Sequence, residues 1–166
     1  MSQVRRIFVE KKAGYDVEAQ SLYGEWKELL GISQLENVRV INRYDIEGVQ
    51  EAAYQEAKGI IFSEPPVDIL YEEKLPLEDN EWAFAVEYLP GQYDQRADSA
   101  AQCLQMLTHQ ERPMVRTGKV IVLKGNLTQE QKNKVKAYTI NPVEAREAAM
   151  DKPQGLQMQV QPPQPV

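Results

Sequence analysis

Residues Leu89–Cys103 read LPGQYDQRADSAAQC, a turn that runs at once into a helix start. Pro90-Gly91 punctuates the chain, and glycine supplies the positive φ that other residues resist. Asp94 is placed to cap the helix through its side-chain oxygen. The helix then spans Gln95 to Gln110, with Ala97, Ala100, Leu104 and Leu107 spaced to form one apolar face. Arg96 falls in the first turn, where a cation opposes the helix dipole by roughly 0.3–1 kcal/mol. Two readings of that placement stand together: Arg96 faces an anion or an acidic partner, or Asp94 or Asp98 neutralises it on a solvated surface.

Outward from this stretch the pattern repeats. Upstream, Val4–Glu10 is a branched, aromatic strand and Lys11–Tyr15 turns about Gly14. Asp16 is the expected N-cap of a helix whose stripe is Ala19, Leu22, Tyr23, Trp26, Leu29 and Leu30, ended by Gly31. Asn37–Asp45 is a second strand, with Val38 and Val40 on one face and Arg39, Ile41 and Arg43 on the other. Gly48 leads into a helix over about Val49–Ile61, broken by Glu64-Pro65-Pro66. Glu72–Asn80 is an acidic connector.

Downstream, Trp82, Phe84, Val86 and Tyr88 alternate along a third strand that enters the opening stretch. Lys119–Lys124 (KVIVLK) is a fourth strand, closed by Gly125-Asn126. Thr128 and Gln131 have the spacing of a capping box and start a helix running to about Tyr138. Asn141-Pro142 predicts a short helix to about Met150.

Val9-Glu10 recurs as Val86-Glu87, Gly14 as Gly91, Asp16 as Asp94, Gly48 as Gly125, and Pro66-Val67-Asp68 as Pro142-Val143-Glu144. The offset stays between 76 and 78 through strand, turn and helix, the signature of a tandem duplication. The expected fold is therefore α+β: two pseudo-symmetric strand-helix-strand-helix units, an antiparallel sheet packed by helices, and a core that neither unit buries alone. The units are residues 1–71 and 81–150, joined by the connector 72–80. Residues 151–166, rich in Pro and Gln, read as a linker. Either a larger protein continues past Val166 or the segment is a natural disordered tail.

Composition narrows the function. With 166 residues and 42% hydrophobic content the chain can bury one core, or two small half-cores. A formal net charge of −6 argues against sequence-independent nucleic-acid binding, which needs a basic surface. The one local basic group, Arg5, Arg6, Lys11 and Lys12, reads as an exposed strand edge and loop. No apolar run reaches bilayer length, and MSQVRRIFVEKK lacks a signal-peptide core, so no membrane role and a cytoplasmic location are expected. Asn126-Leu127-Thr128 fits a glycosylation acceptor only by chance in that setting.

Catalytic groupings are absent from the pattern. Cys103, the only cysteine, forms no internal disulfide and reads as a small buried apolar residue. His109, the only histidine, lies six positions on and on another helix face, so a Cys-His pair is not expected. The same scarcity leaves no usual zinc site. No glycine turn has phosphate-loop spacing. Glu18, Asp45, Glu87, Asp94 and Asp98 read mostly as surface charges. No catalytic residue and no metal ligand is assigned.

The segments RRIFVEKKAGYDVEAQ, NVRVINRYDIEG, FSEPPVD, FAVEYLPGQYDQRADSAAQC, KVIVLKGN and INPVEAREA occur in order. Together they resemble the N-terminal region of large single-chain phosphoribosylformylglycinamidine synthase, over about residues 4–150. That resemblance implies purine biosynthesis. The full enzyme converts formylglycinamide ribonucleotide, glutamine and ATP to formylglycinamidine ribonucleotide, glutamate, ADP and phosphate.

The N-terminal region of that family resembles a fused dimer of the small subunit of multi-subunit versions. It is a noncatalytic scaffold that packs on the synthase domain and helps seat the glutaminase. ATP and Mg belong to the downstream parts, so no cofactor is expected in this piece. The implied partners are the synthase and glutaminase domains of the same parent chain, with self-association of the isolated piece through uncovered apolar surface.

The resemblance places Gly91, Gln92, Tyr93, Asp94, Gln95, Arg96, Asp98 and Ser99 nearest the synthase, bordering its substrate cleft or only a domain interface. The other functional class open to the residues is a free-standing metabolite-binding regulatory domain. A self-contained amidotransferase would need chemistry that the chain lacks.

Overall fold

In a computed structural model of the chain, which describes residues 4–153 and 156, the fold is α+β. The elements run β1 (Arg5–Lys11), α1 (Val17–Glu28), β2 (Asn37–Glu47), α2 (Glu51–Ala57), β3 (Asp68–Glu72), β4 (Glu81–Tyr88), α3 (Gln95–Thr108), β5 (Met114–Lys124), α4 (Gln129–Thr139) and β6 (Ala145–Ala148). A π-helical turn, Lys58–Phe62, extends α2. One antiparallel sheet holds all six strands in the order β3-β1-β2-β5-β4-β6.

The order reads the same outward from the β2–β5 seam in both directions, and so does the register. Adding 77 to both members of Arg5↔Ile46 gives Trp82↔Leu123, and to both members of Glu10↔Ile69 gives Glu87↔Arg146, each an observed pair. Along the seam Asn42 faces Lys119, its own counterpart at that offset.

The alternation expected of β2 holds and continues to Glu47. Val38, Val40, Tyr44 and Ile46 face the helices, while Arg39, Ile41, Arg43 and Asp45 face the other side. The helices cross between halves. Trp26 of α1 packs with Phe84, Ile121, Leu123 and Val135 of the second half. Ala100 and Leu104 of α3 pack with Ile7, Val9, Tyr44, Tyr54 and Phe62 of the first. Each half therefore supplies a helix to cover the other's strands, and the buried area is shared rather than private.

On the opposite sheet face, Phe8, Ile41, Ala85, Val120, Val122 and Ala148 form a third apolar cluster. Flanking it, Arg39 bonds Glu10 and Glu81. The carbonyls of Ala149 and Met150 accept from Arg43 and Arg6. Leu156 is buried there, its N–H held by Glu47 at 3.0 Å.

Several expectations are corrected. The predicted helix from Asn141 to Met150 is a single turn followed by β6. Glu144 and Ala145 N–H donate to the Asn141 carbonyl, Leu89 N–H donates to the Glu144 carbonyl, and β4 pairing then takes over. An isolated helix of that length is marginal, whereas the strand satisfies an open edge and buries Ala148. β3 plays the same part earlier in the chain, so each half of the chain runs strand-helix-strand-helix-strand, and Glu72 lies in the sheet.

β5 begins at Met114, five residues before the expected start, because the whole length of β2 pairs with it. Gly118 interrupts its apolar pattern for a packing reason: a Cβ there would lie 3.3 Å from the Arg43 guanidinium. Gly125, at φ +139°, would place a Cβ 2.4 Å from the Gln34 carbonyl oxygen, so only glycine fits that turn.

The basic group is not an edge. β1 lies between β3 and β2, and Arg6 is buried against Asp45, which is itself no surface charge. Leu29 lies outside the expected stripe, exposed just past the end of α1. The α3 helix stops at Thr108, where His109 turns left-handed at φ 55°. Of the expected linker, residues 154–155 and 157–166 lie outside the described residues.

Candidate functional site

The turn after β4 is built as its residues require. Gly91 takes φ +91°, and Gln92 N–H donates to the Leu89 carbonyl at 3.0 Å. Asp94 caps α3, accepting from Ala97 N–H at 3.0 Å. The same carboxylate accepts from Thr117 N–H at 3.0 Å and from the Thr117 hydroxyl at 2.7 Å. Thr117 lies on β5 just beyond the last residue paired with β4, where its N–H would otherwise lack a ladder partner. One side chain thus ends a strand, starts a helix and pins the loop between them.

Tyr93 and Asp98 form the second lock. The Tyr93 hydroxyl donates to Asp98 at 2.8 Å, and Arg112 also donates to that carboxylate. Both hold the Asp98 carboxyl below its ordinary range, the Tyr93 bond contributing most, and the same bond pushes the Tyr93 hydroxyl upward. Asp94 and Asp98 are therefore committed elsewhere, and neither neutralises Arg96.

Arg96 is exposed and makes no ion pair among the described residues. It stands where three surface clefts meet. One of about 420 Å³ runs past Tyr88, Lys119 and Tyr138. Another of about 300 Å³ runs past the start of α1, Asn42 and Tyr44. The third, beside Tyr44, also takes in Gln95, Ser99 and Cys103. Of the eight expected site residues, Tyr93, Asp94 and Asp98 serve the loop's own architecture and Gly91 its turn. Gln92, Gln95, Arg96 and Ser99 are exposed.

Cys103 is exposed, not buried. The buried line of α3 is Ala97, Ala100, Ala101 and Leu104, and Cys103 falls on the outward stripe with Ser99 and Met106. Asp16 starts α1 without capping it: its carboxylate accepts from Gly14 N–H and the Gln20 amide instead. Among the described residues no group of three His, Cys, Asp or Glu side chains converges as a metal site would require.

Three residues of this region escaped sequence reasoning, Asn42, Tyr44 and Lys119, and Glu18 was read only with the surface charges. The repeat carried a signal for Glu18, which, like Arg96, lies two places after an aspartate that begins a helix. No protein-family model matches the chain, and no curated protein matches it.

Proposed function

We propose that this chain is the noncatalytic N-terminal scaffold region of a large single-chain phosphoribosylformylglycinamidine synthase. The observation that carries the reading is the common offset of 77 that relates the strand pairs of one half to those of the other across the β2–β5 seam. A duplicated small subunit, fused end to end and closed on a shared sheet, would have that register. The ordered family-like segments, LPGQYDQRADSAAQC above all, supply the specific link to the synthase.

In this reading residues 1–71 and 81–150 are the two small-subunit-like repeats, 72–80 is their connector, and 151–166 leads towards the synthase domain. The protein is cytoplasmic. ATP, Mg and the glutaminase chemistry reside in downstream domains. The Gly91–Ser99 loop supplies the docking surface, its inner residues locked by Thr117 and Arg112 and its outer ones, Gln92, Gln95, Arg96 and Ser99, turned to a partner.

The test adds the chain in trans to a synthase lacking its N-terminal region. Restored amidine formation dependent on glutamine and ATP is the expected result. A synthase that stays inactive in its presence, or amidine formation by these 166 residues alone, removes the proposal.

The free-standing metabolite-binding reading is favoured by one observation, the unneutralised Arg96 at the meeting of three clefts. Full saturable metabolite binding with no effect on any synthase would select it.

A further inference from the structure

The sheet face turned away from the helices is crossed by two stretches of chain that belong to no strand or helix. The connector runs over it between β3 and β4 and packs Leu75 on the cluster of Phe8, Ile41 and Ala85. After β6, Ala149–Pro153 lies against the same face, and Leu156 is buried beyond it. The offset of 77 relates the two stretches, matching Glu73 with Met150 and Pro76 with Pro153.

The face holds both by their backbones. Arg39 donates to the Pro76 carbonyl at 3.1 Å, Arg43 to the Ala149 carbonyl at 3.0 Å and Arg6 to the Met150 carbonyl at 2.7 Å. Glu47 accepts from Leu156 N–H at 3.0 Å. Two of these donors are built into the sheet, Arg6 at 2% exposure and Arg43 at 4%. Both Asp45 oxygens fix the Arg6 guanidinium, and the absence of a side chain at Gly118 leaves room for that of Arg43. Buried guanidinium groups aimed at carbonyls form a receptor for main chain.

The two stretches are kept with different firmness. Glu73 joins the connector to β1 twice: its N–H donates to the Arg6 carbonyl at 2.8 Å, and its carboxylate accepts from Arg6 N–H at 2.9 Å. Past Ala148, the last residue paired with β4, the C-terminal stretch makes no backbone–backbone hydrogen bond among the described residues. Ala149, Met150, Asp151 and Lys152 are exposed, and Lys152 reaches Glu73 on the connector. Leu156, 1% exposed, is the buried anchor.

We infer that this face is a docking groove for an extended peptide segment, and that Ala149–Leu156 is an exchangeable latch that closes it. Clasped carbonyls supply the affinity. The seat of Leu156, six residues after the Met150 carbonyl, supplies the selectivity. The partner that it fits is an extended protein segment carrying leucine at that spacing. Because the latch is tethered, it competes at high effective concentration and keeps free segments out. The inference stands apart from the synthase reading, since binding is measured on this chain by itself.

A fluorescent peptide of residues 148–156, AAMDKPQGL, is titrated by anisotropy into the full chain and into full-chain Leu156→Asp, whose latch has lost its anchor. The opened variant binds the peptide saturably and about tenfold or more tightly than the unaltered chain, where the latch competes. A peptide that itself carries Leu156→Asp fails to bind. Arg43→Met, added to the opened chain, weakens binding several-fold.

Equal affinity for the closed and opened chains, no saturation of the opened one, or undiminished binding of the aspartate peptide overturns the groove. An opened chain that pairs with a second copy instead of the peptide, seen by sedimentation, overturns the choice of occupant. If Leu156→Asp prevents folding, hydrogen exchange on the unaltered chain decides. The Leu156 amide then exchanges about a hundredfold or more faster than the amides of the β2–β5 seam, through local opening of the latch. Exchange of both at one rate makes the stretch part of the core and overturns the latch.

Discussion

The indole of Trp26 on α1 meets the ring of Tyr138 on α4 edge to face, centroids 6.3 Å apart and planes at 86°. A second tie runs alongside, the Tyr138 hydroxyl donating to Glu25 at 2.7 Å. Trp26 is fully buried, so it brings its helix from one half into the core of the other. Truncation to alanine should cost about 3–5 kcal/mol in urea unfolding, since a cavity forms where both halves meet. The indole N–H has no hydrogen-bond partner among the described residues, however. Trp26→Phe removes that buried, unsatisfied donor along with part of the ring, and should cost clearly less than Trp26→Ala. Equal losses for the two variants would refute this account of the site.

Asp94 and Thr117 lend themselves to a double-mutant cycle. Asp94→Ala removes a helix cap, an effect of about 0.5–2 kcal/mol, together with both bonds to Thr117. Thr117→Val removes only the hydroxyl bond and leaves the strand backbone intact. The expected coupling energy between them is about 0.5–3 kcal/mol by chemical denaturation. Additive effects would mean that the Thr117 hydroxyl bond adds nothing to the cap and the bond from Thr117 N–H.

Much of the fold was legible from local chemistry. The Asp94 cap, the Thr128–Gln131 capping box and the glycine turns at 14, 31, 48, 91 and 125 each depend on neighbours within a few residues, and all are present. The segments that failed are those decided by distant partners. Ala145–Ala148 favours a helix by composition, yet β4 offers it a ladder. Arg6 and Asp45 look like surface charges because nothing local shows that they lie 39 residues apart on adjacent strands. At the candidate site the Asp94 cap followed from its neighbours, whereas its bonds to Thr117, 23 residues on, and the hold of Arg112 on Asp98 did not. The unpaired state of Arg96 did not either, because Asp94 and Asp98, its two expected neutralisers, are claimed by Thr117, Tyr93 and Arg112.

Acid should loosen the junction of α2 with β3. Glu72 accepts from the Tyr54 hydroxyl at 2.8 Å and from Lys58 Nζ at 3.0 Å, and these bonds hold its carboxyl below the ordinary glutamate value. A carboxyl depressed in the folded state contributes its full stabilisation above the unfolded value of about 4.3. That contribution is lost as pH falls through the lower folded value. Because Glu72 is partly exposed, the effect is small. Urea midpoints measured across this acidic range should therefore fall less steeply for Glu72→Gln than for the unaltered chain. Parallel slopes would show that Glu72 carries no linkage.

The charge pair on the opposite sheet face should behave differently when broken and when replaced. Arg6 donates to both oxygens of Asp45, at 2.7 and 3.0 Å, and all of this is buried. Arg43, buried beside them on the same face, has its guanidinium pKa lowered by desolvation first and by Arg6 second. Asp45→Ala therefore leaves two cations in a dry site with no carboxylate between them, and should cost about 3–5 kcal/mol. Replacing the pair together, as Arg6→Met with Asp45→Leu, removes the charges and their desolvation cost at once, so stability should stay far closer to that of the unaltered chain. The double replacement still forfeits the bond from Arg6 to the Met150 carbonyl, which fastens the segment leaving β6 to the sheet. Limited proteolysis should accordingly cut near Met150 faster in the double variant, even though its unfolding midpoint is nearly retained. A double variant as unstable as Asp45→Ala would show that the pair stabilises the fold outright rather than merely requiring its own completion.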